Sequence, residues 1–146
     1  MKLRDQIPDL HAEGEWINTR GIRTEDLIGH KPTLIYFWSV SCHTCKRAMP
    51  LINQMRDEFK RELQVLSIHT PLTEDDKEIE SIKKEAEKFN ITEPLFADQS
   101  EMLSRRFQIR YVPAYFIFTK EGELKHFQSG RNGIAMLRRR LGRILE

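Results

Sequence analysis

The chain has 146 residues, 39% of them apolar and 32% charged, a length and composition that can bury a core without help from disulfides. Its 24 basic and 22 acidic side chains leave a formal charge of +2, which gives no electrostatic ground for a nucleic-acid or membrane-surface partner. No segment approaches the ~20 apolar residues of a membrane helix, and Met1 to Asp5 leads into Gln6, Pro8, Asp9 and His11 without the apolar run of a signal peptide, so a cytoplasmic protein is expected.

No repeat and no Gly/Ser/Pro-rich linker divides the chain, so one domain over residues 1–146 is expected. From Thr33 to Trp38 the run Thr-Leu-Ile-Tyr-Phe-Trp is continuously apolar and β-prone, the pattern of a central strand covered on both faces. Beyond Cys42, the residues Ala48, Ile52, Met55 and Phe59 recur at i, i+4, i+7 and i+11. This predicts a helix to about Arg61, kinked at Pro50. Gln64 to Ile68 reads as a second strand. Thr73 is placed as an N-cap, with Glu74, Asp75 and Asp76 suited to the positive end of a helix dipole, so a helix presenting Ile79, Ile82, Ala86 and Phe89 is expected to open there. A short strand over Pro94 to Ala97 follows, and Asp98 is positioned to cap a helix holding Met102, Leu103 and Phe107.

This alternation calls for parallel strands joined by crossovers. The order changes after Pro113. Ala114 to Thr119, the turn Lys120-Glu121-Gly122 and Glu123 to Gln128 predict an antiparallel hairpin, and a last helix from about Asn132 carries Ile134, Leu137, Leu141 and Ile144 on its core face. The expected fold class is α/β, a central mixed sheet with helices on both faces.

Only two cysteines occur, Cys42 and Cys45, and a spacing of three arises by chance in roughly 1 of 70 placements. In a reducing compartment such a pair is catalytic or metal-binding sooner than structural, because the loop it closes is too short to constrain the unfolded chain much. Disulfide exchange needs a thiolate that is ionised and reachable. Cys42 stands where a central strand ends and a helix begins, so unpaired N–H groups of the first turn favour its anion. Cys45, one turn on and deeper, is the expected resolving thiol. His43 and Thr44 between them are expected to tune the pair, an imidazole beside the thiolate favouring the reduced form.

Phe37-Trp38, Cys42-x-x-Cys45-Lys46, Pro50 and the distant Val112-Pro113 together resemble the thioredoxin superfamily over nearly the whole chain. The additional helix and strand between about Thr73 and Ala97 are similar to the insertion of the TlpA/ResA branch. The resemblance implies a thioredoxin-like three-layer fold with an αβ insertion before the cis-proline strand. It implies a cis bond at Val112-Pro113 facing the cysteines, with Val112 as a main-chain docking point for an extended substrate. It further implies a thiol-disulfide oxidoreductase acting on protein disulfides as a monomer, without a bound cofactor, restored by an external thiol or a thioredoxin-reductase-type reductant. The pattern also departs from its relatives. Thioredoxins bury an aspartate near the resolving cysteine where this chain has Tyr36, and many ResA-type proteins carry a glutamate where it has Ala48. Ser41 replaces a common tryptophan, and Ala114 a threonine.

The same residues admit other readings. A Cys-x-x-Cys pair is half of a tetrahedral zinc site, but His11, His30, His43, His69 and His126 lack ligand spacing, so no metal is expected. A thiol peroxidase-like antioxidant would need polar groups around the sulfur, of which Val40 and Ser41 give little sign. A non-catalytic thioredoxin-like binding module would have no reason to keep both thiols. Trp38 is expected beneath the site, shaping it, and Trp16, Phe116 and Phe118 in the core. His69 is expected to be a solvated loop histidine in preference to a site residue. Arg138-Arg139-Arg140 with Arg143 reads as the solvated face of the last helix.

Overall fold

The six residues Thr33–Trp38 (β2) carry no charged side chain, and in the computed structural model, which describes residues 1–130 and 133–146, all six are buried. On one side β2 pairs in parallel with β3 (Gln64–His69), and on the other it pairs antiparallel with β5 (Ala114–Phe118). β3 continues in parallel to β4 (Leu95–Ala97), which pairs antiparallel with β1 (Glu15–Ile17), while β5 and β6 (Leu124–Ser129) form the antiparallel hairpin. The sheet order is β1-β4-β3-β2-β5-β6. Each parallel step needs a crossover: α1 (His43–Glu58) connects β2 to β3, and α2 (Ile79–Lys88) lies between β3 and β4. The helices α3 (Met102–Arg106) and α4 (Ile134–Ile144) precede and follow the hairpin.

Because side chains alternate along a strand, β2 feeds two cores. Leu34, Tyr36 and Trp38 face Cys45, Met49 and Ile52 of α1, Ile82 of α2 and Leu137 of α4. Ile35 and Phe37 face the opposite layer, with Leu27, Leu103 and Phe107. There Phe37, Phe107 and Phe116 meet edge to face at centroid distances of 5.0 to 5.9 Å, a favoured arrangement of ring quadrupoles. The mixed sheet with helices on both faces is therefore the fold expected from the pattern, with Phe116 and Phe118 in the core and Trp16 only half-buried against Phe96.

Several boundaries differ. The strand β1 was not foreseen. It can close on β4 because residue 14 is glycine, where a Cβ would collide with the Ala97 carbonyl and the Phe96 ring. The helix expected to open at Thr73 is instead a 3-10 helix over Glu74–Lys77, and α2 begins only at Ile79. Thr73 is the N-cap of that short helix, as expected, and Asp76 at its third position turns its carboxylate inward to accept the Leu72 and Thr73 N–H groups. The helix α1 runs through Pro50 and ends at Glu58, three residues before the expected Arg61. Asp98 does cap α3, but from a distance. The residue that opens the helix is Glu101, at φ 62°, and the Asp98 carboxylate reaches over it to accept Leu103 N and Ser104 N at 3.1 and 2.9 Å. The expected start of the last helix, Asn132, lies outside the described residues; α4 runs from Ile134 and packs Leu137 and Leu141 inward.

Candidate active site

The strand β2 ends at Trp38, and four residues later the chain enters α1, placing Cys42 at the N-cap of that helix. Cys42 and Cys45 are joined as a disulfide with 5.3 Å between their Cα atoms. The Cys42 sulfur accepts the Cys45 N–H at 3.1 Å, so one of the orphan donors of the first turn is spent on the sulfur itself. The two cysteines are unequal. Cys45 is 1% exposed and packs with Trp38 and Met49, whereas Cys42 is half-buried at the rim. His43 and Thr44 both point to solvent.

Opposite the pair, the Val112–Pro113 peptide is cis, and the Val112 carbonyl oxygen lies 3.8 Å from the Cys42 sulfur. A groove of about 520 Å³ opens beside this peptide, lined among others by Arg110, Tyr111, Phe116 and Phe127. Tyr111 is 71% exposed at its edge.

Trp38 is wholly buried beneath the cysteines, and the edge of its indole meets His69 with ring centroids 5.1 Å apart. The expectation of a solvated loop for His69 is wrong. It is the last residue of β3, registered against Trp38, and this extra strand position carries its ring inside. Its Nε2 accepts the Val40 N–H at 3.2 Å. Burial pushes its pKa down to about 4, only partly opposed by the nearby Asp76 charge, so the ring is neutral at pH 7. His69 thus holds the loop before Cys42.

Two buried carboxylates were missed from the sequence. Asp76 accepts Ser41 Oγ at 2.6 Å and Ser39 Oγ at 3.2 Å, on either side of Val40. Glu93 accepts the Tyr36 hydroxyl at 2.6 Å and Arg56 Nη1 at 2.7 Å, and Arg56 also donates to Asn53 and the Asn90 carbonyl. Burial, then the Glu93 charge, drives the Tyr36 phenol well above its ordinary pKa. Tyr36, at the position where the thioredoxin resemblance places a buried aspartate, packs in the same cluster as Cys45 and spends its hydroxyl on Glu93. Arg56 stands eleven residues beyond Cys45, about 16 Å along the helix at 1.5 Å per residue. Only a seryl pair before a cysteine, with acids beyond the next strand, hinted at Asp76 in the sequence; Glu93 carried no signal. Among the described residues no three His, Cys, Asp or Glu side chains gather as metal ligands, and no helix is long and apolar enough to cross a membrane.

A family model described as the AhpC/TSA family matches residues 3–127. The chain belongs to this family. It is 48% identical over 145 residues to the thiol-disulfide oxidoreductase YkuV of Bacillus subtilis (strain 168), covering 99% of this chain and 97% of that protein. It is 26% identical over 117 residues to the thiol-disulfide oxidoreductase ResA of Geobacillus kaustophilus (strain HTA426), covering 72% of this chain and 63% of that one. A solution structure of a thioredoxin-like protein in its oxidized form superposes with a TM-score of 0.92 at 47% identity, over 99% of this chain and 97% of the other. With a thioredoxin-like fold and a Cys-x-x-Cys pair at disulfide distance, this member of the AhpC/TSA family is a thiol-disulfide oxidoreductase.

Proposed function

We propose that Cys42 is the nucleophile and Cys45 the resolving thiol of a cycle that reduces or exchanges protein disulfides. The observation that carries this assignment is the asymmetry of the pair: the sulfur at the rim receives a helix N-terminal N–H, and the other is sealed in the core. A thiolate is stabilised by such a donor and by the dipole of α1. The Cys42 thiolate attacks one sulfur of the substrate disulfide, and the departing sulfur takes up a proton. Cys45 then gives up its proton and attacks the Cys42 sulfur. The second substrate sulfur leaves as a thiol, two electrons having passed to the substrate, and Cys42 and Cys45 are left joined.

The Val112 carbonyl beside Cys42 suits main-chain pairing with an extended substrate segment, and the groove around Tyr111 suits its flanking side chains. His43 and Thr44, exposed between the sulfurs, tune the equilibrium, and Trp38 shapes the floor. No bound cofactor takes part in this cycle; an external thiol or a thioredoxin-reductase-type protein returns the pair to the dithiol. We further propose that it works in the cytoplasm as a monomer.

The test combines insulin reduction with a redox titration against glutathione. Cys42→Ser is expected to abolish turnover, and unchanged turnover would overturn the assignment. A potential near −270 mV marks a reductant and one near −120 mV an oxidant. His43→Ala is expected to shift the potential toward the reducing side; equal potentials would remove His43 from the site.

A further inference from the structure

The three residues leading into Cys42 are all held from the side of β3 and the segment that follows it. Ser41 Oγ donates to Asp76 Oδ1 at 2.6 Å, and Ser39 Oγ donates to Asp76 Oδ2 at 3.2 Å. The backbone N–H groups of Leu72 and Thr73 donate to the same Oδ2 at 2.9 and 3.2 Å. Between the serines, Val40 N–H is taken by His69. The turn closes on itself where Cys42 N donates to the Ser39 carbonyl at 3.0 Å. Asp76 is 4% exposed and forms no ion pair among the described residues; its neighbour Lys77 pairs with Glu74.

Burial alone would raise the Asp76 pKa, but the hydrogen bonds from Ser41, Leu72, Thr73 and Ser39 outweigh it and hold the carboxyl below its usual range. An anion satisfied by hydroxyls and amides, not by a cation, keeps its field. The elements that meet at Cys42 also carry His43 and Lys46 on α1, His69 on β3, Glu74 and Asp75 beside Asp76, and Arg110 and Tyr111 before the cis peptide. Of these, His69 is neutral and Lys46 faces Glu85 at 3.6 Å.

We propose that Asp76 is a positioning residue of the redox site, fixing the Ser39–Ser41 approach to Cys42 and holding, against the residue next to the nucleophile, a negative charge that biases the pair toward its disulfide. This rests on Cys42 being the attacking thiol. A like charge nearby disfavours the thiolate, whereas the helix N-terminus favours it. Stabilising the reduced form makes a pair a stronger oxidant, so the anion makes this pair a better reductant.

Asp76→Asn removes the charge at nearly constant size. Against glutathione, the reduced form should gain about three- to tenfold in the equilibrium constant, or about 14 to 30 mV toward oxidising at 29.6 mV per tenfold. The midpoint of the pH profile for Cys42 alkylation should fall in parallel. Asp76→Ala should in addition slow insulin reduction. A folded Asp76→Asn with parental potential and parental alkylation profile overturns the proposal, because a merely structural carboxylate would lower thermal stability and move neither.

Ser41→Ala gives an independent reading if the Asp76 variants do not fold. It leaves the anion in place with three donors, so attack should slow several-fold while the potential stays within a few millivolts; a shift as large as that expected for Asp76→Asn would also overturn the proposal. Cys42→Ser is run beside them. If it retains turnover, the assignment of the nucleophile has failed, which is distinguishable from a failure at Asp76.

Discussion

Two buried carboxylates stand at opposite ends of the same helical layer, and they are built differently. Glu93 faces a guanidinium and a phenol, tying β2, α1 and the approach to β4 through Tyr36, Arg56 and Asn53. Asp76 has hydroxyls and backbone amides and no ion pair among the described residues, and two of its donors flank the approach to Cys42. A charge neutralised by its own counter-ion exerts little field and serves as a brace, whereas a charge solvated only by dipoles projects its field onto whatever lies beside it. The difference predicts that damage at Glu93 is read in stability and damage at Asp76 in redox equilibrium.

The largest expected effect outside the cysteines tests the brace. Arg56→Ala strips the cation from a carboxylate whose side chain is 3% exposed, and removing one partner of a buried pair costs about 3 kcal/mol or more. Chemical denaturation should record that loss while the redox potential stays parental; a shifted potential would erase the distinction between the two ends.

Acid sharpens the comparison from the other side. His69 has a folded pKa of about 4 against 6.5 when unfolded, so the unfolded chain binds the extra proton. Stability is full above pH 6.5 and declines as pH falls from there to about 4, by about 3 kcal/mol at 1.36 kcal/mol per unit. Asp76 acts in the same direction at lower pH: its lowered pKa supports folding above the ordinary carboxylate value, and that support is lost only as pH falls below it. His69→Phe should flatten the upper limb alone, as seen in the thermal midpoint between pH 7 and 4. The smallest effect belongs to Tyr36→Phe. It deletes one donor to Glu93 and leaves the Arg56 ion pair, so a cost of about 1 to 2 kcal/mol is expected in denaturant titrations, with no change in thiol reactivity.

What could be read in advance follows from how local each feature is. The strands β2, β3 and β5, the hairpin and the face of α1 are written in contiguous apolar runs, and the cysteine spacing is itself a local signal. β1 is not legible because its three residues become a strand only against β4, eighty residues on, through a glycine whose role is to let two backbones meet. The acidic neighbours of Asp76 suggest a helix-dipole acid, whereas its partners Ser39 and Ser41 are more than thirty residues away. His69 looked solvated because the strand pattern ended one residue early. Glu93 is tied to Tyr36 across 57 positions, and no periodicity announces such a pair.

The bond from the Cys45 amide to the Cys42 sulfur makes the same atom both the reacting centre and the end-stop of α1. An ionised sulfur accepts that N–H more strongly than a neutral one, so ionising Cys42 is expected to tighten the first turn of the helix. The Cys45 amide proton is therefore a reporter of the sulfur's charge: in the dithiol form its exchange with deuterated solvent should slow as pH rises through the midpoint of Cys42 alkylation, and a rate that ignores that midpoint would separate the helix cap from the chemistry.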